Sequence, residues 1–293
     1  HAVVGGVVGA GIMAAGSDSI HWSSMGGIAA SWVISPVLGG IIAAILLAFI
    51  KARILYRDDK IAASRFWLPI LVGFMAGTFA TYLALKGFSA LIHISLGVSV
   101  LIGIVVGLAA WKLSVPMVLR QSQGLENRKK SVRKLFAVPL VCSAALLSFA
   151  HGANDVANNM GPAVGANALS LGSALIIAAV FETAGAMLAG GDVVNTIASG
   201  IVSPELVQNG NIFVLLMMAA LLAAALWLNL ATYIGAPVST THAVVGGVVG
   251  AGVMAAGASS VHWSSMLGIT ASWVISPVMG GVIAAALLAF IKA

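Results

Sequence analysis

One cysteine, three tyrosines and a charged fraction of 8% are what this 293-residue chain has least of. A lone Cys142 leaves no partner for an intrachain disulfide and fits no metal-binding spacing. The charged fraction falls far below the roughly 25% of soluble domains, which excludes an ordinary soluble fold. No HExxH, no GxSxG and no Cys/His cluster occurs, so intramembrane hydrolysis has no support and the chain does not read as an enzyme. Aromatic residues are not interleaved with the basic ones, which argues against nucleic-acid binding. Alternating ten-residue strands are also lacking, which removes a membrane β-barrel. No organic cofactor is implied by any motif.

What the chain has in excess is apolar residues, 60% of the total, with a mean hydropathy of +1.09. Several runs reach the roughly 20 residues that a helix needs to cross the hydrocarbon core. The expected fold class is therefore an all-α polytopic membrane protein with the lipid bilayer as its solvent. Roughly 8–10 membrane segments are expected from the lengths of these runs. The formal net charge is +6, but twelve of the fourteen Lys and Arg residues lie in two patches, Lys51 to Arg65 and Lys112 to Lys134. Basic loops mark the cytoplasmic side of a membrane, so the charge reports topology rather than an acidic partner. A multi-pass protein of the plasma membrane is expected, and specifically of a bacterial inner membrane.

Self-similarity organises the chain. Residues 1–52 realign on 242–293 at a constant offset of 241, and nine of the 52 positions differ. HAVVGGVVGAGIMAAG pairs with HAVVGGVVGAGVMAAG, and HWSSMGGIAASWVISPV with HWSSMLGITASWVISPV. GAPVSTT precedes only the second copy, so the chain reads as a fragment that opens inside a motif. Both copies end in Phe-Ile-Lys-Ala, which argues for the same orientation and a recent tandem duplication or a recombination. Three regions are expected: 1–52 as the tail of a first repeat, 53–134 as a helical hairpin between basic loops, and 135–293 as a second repeat. Within them, 2–16 and 243–257 read as short Gly-rich helices whose Gly5/Gly9 and Gly246/Gly250 spacing lets backbones approach. Residues 23–50 and 264–291 read as long spans that Pro36 and Pro277 kink or break. The hairpin is placed at 66–86 and 92–111, a linker at 120–134, further spans at 168–190 and 211–234, and a loop or re-entrant piece between the last two.

Two constellations carry the chemistry. HGANDVANNMGPAVGA, residues 151–166, is a polar island between greasy stretches. Such a segment survives at membrane depth only where protein or a water-filled cavity surrounds it. An ionisable residue there marks a functional site. Asp155, Asn158 and Asn159 share one face of a helix. Gly152 and Ala153 suit an unwound entry, and Gly161-Pro162 suit a stop. A carboxylate with amide oxygens is a hard-cation ligand set. The plainer alternative is a packing notch, which accounts for the glycines but not for Asp155. PVSTTH, residues 237–242, sets Ser239, Thr240 and Thr241 at the start of a helix, where N–H groups and the helix dipole favour an anion. Its plainer alternative is ordinary N-capping, which needs one hydroxyl rather than three. Glu182 stands in the middle of an apolar span as a cation ligand, a coupling group or a protonated, hydrogen-bonded carboxyl. Asp192 is a weaker candidate, and His21, His151, His242 and His262 are ambiguous.

GANDVANNMGPAVGA, the mid-span Glu of FETAGAMLAGG, PVSTTHAVVGGVVGAG and SWVISPV together resemble the PiT-type inorganic phosphate transporters, and the resemblance covers nearly the whole chain. It implies a repeat-built transporter with discontinuous helices, which takes up inorganic phosphate by symport with Na⁺ or H⁺. By similarity, Asn154, Asn158, Ser239, Thr240 and Thr241 contact the substrate. Asp155, Asn158 and Glu182 then hold the coupling ion, with Asp155 and Glu182 the metal ligands if that ion is Na⁺. The resemblance also leaves room for a homodimer. Neither motif holds a Lys or Arg, so a phosphate dianion needs a co-bound cation, and the two ligands bind interdependently. Sulfate is the alternative substrate, since a hydroxyl-lined pocket does not exclude it. A non-transporting membrane scaffold or sensor is the alternative of another class.

Overall fold

The computed structural model describes residues 1–87, 94–207 and 212–292. Eleven α-helices are present among them: α1 (Ala2–Ala15), α2 (Trp22–Ile50), α3 (Lys60–Tyr82), α4 (Leu96–Gln121), α5 (Lys129–Leu135), α6 (Ala137–Gly165), α7 (Leu171–Ala189), α8 (Gly191–Asn195), α9 (Phe213–Ile234), α10 (Thr240–Ala256) and α11 (Trp263–Lys292). Seven of the helical segments are long and apolar enough to cross a membrane, and α1 and α10 are two shorter apolar helices. Continuous apolar runs are satisfied in lipid only if each segment closes its own backbone hydrogen bonds, which a helix does.

Polar residues set the helix starts. Asp59 accepts from the Ala62 N–H at 2.8 Å ahead of α3, Ser95 from Val98 at 3.4 Å ahead of α4, and Ser170 from Ser173 at 3.2 Å ahead of α7. Each side chain thereby satisfies one of the donors that the first turn leaves without a partner. At the other end, Gly16 and Gly257 close α1 and α10 with φ of 83° and 85°. Both are left-handed conformations that a Cβ would strain. The two glycines are equivalent in the repeat, so the sequence copy is also a conformational copy.

Three sequence expectations are corrected. Gly152-Ala153 does not unwind, and Gly161-Pro162 does not end the helix, because α6 runs without a break from Ala137 to Gly165 with Pro162 inside it. Pro36 and Pro277 likewise lie within α2 and α11 rather than breaking them. Prolines are tolerated in membrane helices where neighbouring groups compensate the missing N–H. The discontinuities fall instead at the short helices α1, α8 and α10. The hairpin helices are longer than expected, and α3 continues as a π-helical turn over Leu83–Gly87. The linker contains α5. Residues 92–93 and 211, assigned to spans from the sequence, lie outside the described residues, as do residues 208–210 of the connecting piece. That piece otherwise holds α8, a π-helical turn at Thr196–Gly200 and a bridge from Val202 to Val261.

Two compact units are present. The first comprises residues 1–32, 151–201 and 262–293, and the second comprises 33–150 and 202–261. In the first, α1 lies along α11. A Cβ on Gly5 would stand 1.9 Å from the Pro277 carbonyl oxygen, and one on Gly9 would stand 2.1 Å from that of Gly281. In the second, α10 lies along α2 in the same register: a Cβ on Gly246 would meet the Pro36 carbonyl at 2.0 Å, and one on Gly250 that of Gly40 at 2.2 Å. Bare glycines are what let these backbones touch. The short helix of each copy is therefore paired with the long helix of the other.

Lysines complete the exchange. Lys51 donates to the carbonyls of Met254 and Ala255 at 2.9 and 3.2 Å, and Lys292 to those of Met13 and Ala14 at 3.3 and 3.5 Å. Each ammonium sits on the negative end of a short helix, where a cation is favoured. Elsewhere in the second unit α3 and α4 meet through Gly73, Gly77, Gly103 and Gly107. Leu147, Ala150, Ala224, Trp227, Leu228 and Ala243 form a buried apolar cluster between α6, α9 and α10.

Candidate functional site

The polar island forms the C-terminal half of α6, in the first unit. Helical periodicity stacks His151, Asp155 and Asn159 at successive i, i+4 positions. His151 Nε2 and an Asp155 carboxylate oxygen pair directly. One turn on, Asn159 Nδ2 donates to Glu182 Oε1 of α7 at 3.2 Å. Asn154, Asp155 and Glu182 are half-buried, whereas Asn158 and Asn159 are exposed. The fold thus brings Asp155, Glu182, His151 and Asn159 into one polar strip on two adjacent span-length helices. Pro162 adds to it, having no N–H to give the carbonyl of Asn158 one turn earlier.

Such a strip offers carboxylate, amide and imidazole groups to a hard cation or a proton. Each carboxylate is held by a neighbour rather than left in apolar surroundings, the condition for a charge to persist there. Among the described residues no group of three or more His, Cys, Asp or Glu side chains gathers as a metal site. A cation here would depend on amide and main-chain oxygens as well. Asp192 lies apart, exposed in the first turn of α8.

The hydroxyl cluster belongs to the second unit. Ser239 is the N-cap of α10, and its Oγ accepts from the His242 N–H at 3.4 Å. Capping is therefore one task of Ser239, as the plainer reading of the motif held. Thr240 is buried at 3% exposure and His242 at 0%, while Ser239 is half-buried and Thr241 exposed. Three consecutive hydroxyls thus stand in three different environments. Pro237 precedes the cap, and the first-turn N–H groups of α10 provide the donors an anion needs.

The sequence placed Asn159 on the face of Asp155 without a role of its own and left His151 undecided. The i, i+4 spacing of 151, 155 and 159 was a legible signal for one face. That Glu182 lies opposite Asn159 is a tertiary fact with no sequence signature. A groove of about 500 Å³ between α3 and α4 is lined by Gly73, Phe74, Gly77, Gly103, Ile104 and Trp111, among others. Its walls are almost wholly apolar, and the hydroxyls of Thr78 and Thr81 in its lining already donate to main-chain carbonyls of α3.

Comparison with known proteins places these features in context. The family model described as "Phosphate transporter family" matches twice, over residues 1–163 and 152–293, and the two matches share residues 152–163 of the polar island. A Helicobacter pylori protein named "Putative phosphate permease" is 58% identical over 141 residues, which cover 48% of this chain and 26% of that protein. One from Pyrococcus furiosus, with a similar name, is 42% identical over 154 residues, covering 51% of this chain and 37% of its own. A third, from Chlamydia trachomatis, is 45% identical over 159 residues, 54% of this chain and 37% of that one. The chain thus spans about a quarter to somewhat over a third of the length of the curated relatives it matches. A solved structure described as "The sodium-dependent phosphate transporter" shares the fold, with a TM-score of 0.82 and 24% identity over 98% of this chain and 72% of that one.

Proposed function

This chain belongs to the phosphate transporter family, a family of transporters rather than enzymes, and on that premise we propose that it serves uptake of inorganic phosphate by symport with Na⁺ or H⁺ across a plasma membrane. The observation that carries this reading is the linked strip of His151–Asp155 and Asn159–Glu182 on two span-length helices. Asp155, Asn158 and Glu182 are the coupling-ion residues, and Asp155 and Glu182 are the metal ligands if the ion is Na⁺. Asn154, Asn158, Ser239, Thr240 and Thr241 are the substrate residues. Neither motif contains a Lys or Arg, so the charge of a phosphate dianion is compensated by the cation that enters with it. Each ligand then raises the affinity for the other by the same factor. That reciprocity is what makes the pair a symport couple.

The test is radiolabelled phosphate binding and uptake by the reconstituted chain, with and without a Na⁺ gradient. Phosphate binding that tightens with Na⁺ or with falling pH, and is lost in a folded Asp155→Asn variant, is the expected result. Binding and uptake unchanged by Asp155→Asn would remove the coupling role. Thr240→Val together with Thr241→Val weakens phosphate on the order of ten-fold or more, since a hydrogen bond to a charged group contributes about 1.5–3 kcal/mol. Cation binding measured without phosphate is expected to change less.

A further inference from the structure

Two basic loops far apart in sequence are fastened together in the second unit. Asn127 Nδ2 donates to the Asp58 carbonyl at 2.6 Å, and Asn127 Oδ1 accepts from the Lys60 N–H at 2.9 Å. Arg65 of α3 donates through Nε to Ser122 Oγ at 2.7 Å and through a terminal nitrogen to the Ser122 carbonyl at 3.4 Å. These contacts fix the segment that leads into α5, and α5 itself packs on α3. Ser131, Val132 and Leu135 are 8%, 0% and 2% exposed, so one face of α5 is buried in protein. Lys130, Arg133 and Lys134 are exposed. Their i, i+3, i+4 spacing puts three cations on one helix face, where like charges repel. Nearby Arg128 pairs with Glu126 at 2.8 Å, whereas among the described residues these three have no carboxylate partner.

We propose that Lys130, Arg133 and Lys134 bind the phosphate headgroup of an anionic phospholipid in the leaflet that faces this loop. Topology asks only that basic residues lie on one side of the membrane. It does not ask for three of them on one face of a short helix whose other face is fixed to the protein. Two placements select a lipid over a soluble anion. α5 stands between the span-length helices α4 and α6, and Lys134 is three residues ahead of Ala137, where α6 begins, about 4.5 Å along a helix axis. At the same end of α3, Arg53 lies over the Trp67 ring at 5.7 Å and Tyr56 is exposed; Trp and Tyr collect at the headgroup level. Clusters of Lys and Arg next to a membrane span attract anionic lipids. Arg133 can take a phosphate through two parallel N–H groups, and the two lysines act as point charges beside it.

The full chain is purified in detergent and titrated with phosphatidylglycerol or with phosphatidylcholine of the same acyl chains, and native mass spectrometry counts the lipid retained. Expected is a preference for phosphatidylglycerol of about a hundred-fold, the factor that about 2.7 kcal/mol spread over three charges produces. Lys130→Gln, Arg133→Gln and Lys134→Gln together abolish it. Arg133→Gln alone, a milder change at an exposed position, lowers it about five-fold. Lys112→Gln with Lys292→Gln, exposed cations away from α5, leaves the preference in place, and an excess of inorganic phosphate leaves the lipid bound. Equal retention of the two lipids, or a preference that survives both α5 variants, overturns the proposal. A loss as large in the Lys112→Gln, Lys292→Gln chain shows net charge alone at work and overturns it too. Displacement by inorganic phosphate shows a site for a free anion and overturns the assignment to lipid.

Discussion

Val7 and Val248 hold the same place in the 52-residue repeat, on helices of nearly the same sequence, yet one is 53% exposed and the other fully buried. Ile291 and Ile50 repeat the contrast at 77% and 0%, and Lys51 of the buried pair is only 7% exposed. The register within each pair is the same: glycines on a proline-containing turn, and a lysine on the last carbonyls of the short helix. The contact between the paired helices is thus a property of the repeat, whereas burial of their outer faces is a property of the surroundings. Equal sequence does not make equal stability, and paired substitutions at equivalent positions measure the difference.

The largest effect is expected at the glycines. Gly246→Val pushes a branched side chain into the Pro36 backbone inside a unit that packs α10 on two sides. We expect about 3 kcal/mol of destabilisation, the upper end of ordinary overpacking, read by reversible unfolding in mixed micelles. Gly5→Val makes the same clash with Pro277, but α1 can move outward, and about 1 kcal/mol is expected. Equal losses at the two sites would show that α1 is as tightly held as α10. A smaller split is expected for the isoleucines. Ile50→Ala leaves a cavity worth about 2 kcal/mol, and Ile291→Ala at an exposed position stays within about 0.5 kcal/mol. Smallest is the lysine pair. Lys51→Met loses two charge-assisted bonds in a buried place, at about 1.5 kcal/mol, and Lys292→Met falls within about 0.5 kcal/mol. A Lys292→Met loss as large as that of Lys51→Met would mean the first unit depends on its lysine as much as the second does.

Much of the site was legible without coordinates. The GANDVANN island, the STT run and Glu182 stood out because polar groups are costly in lipid and occur there for a reason. The i, i+4 spacing of His151 and Asp155 was there to be read, but the imidazole was left undecided and its pairing with Asp155 came from the structure. The expectation of an unwound helix at Gly152-Ala153 failed for an identifiable reason. Glycine permits a break without requiring one, and in an apolar medium each broken backbone hydrogen bond must find another partner. Pro162 misled in the same way, and Pro36 and Pro277 do not break their helices, because a missing N–H costs one bond and leaves the remaining turns intact.

Helical secondary structure, membrane-spanning length, the repeat and the polar residues of the two motifs were all determined by the sequence, because each follows from local periodicity or from the cost of placing a group in lipid. Tertiary structure alone decided that the short helix of one copy lies on the long helix of the other, that Asn159 reaches Glu182, and that α9 packs on α10. Those outcomes depend on which surfaces meet. Two nearly identical stretches carry the same local instructions and cannot say which of them another helix will cover.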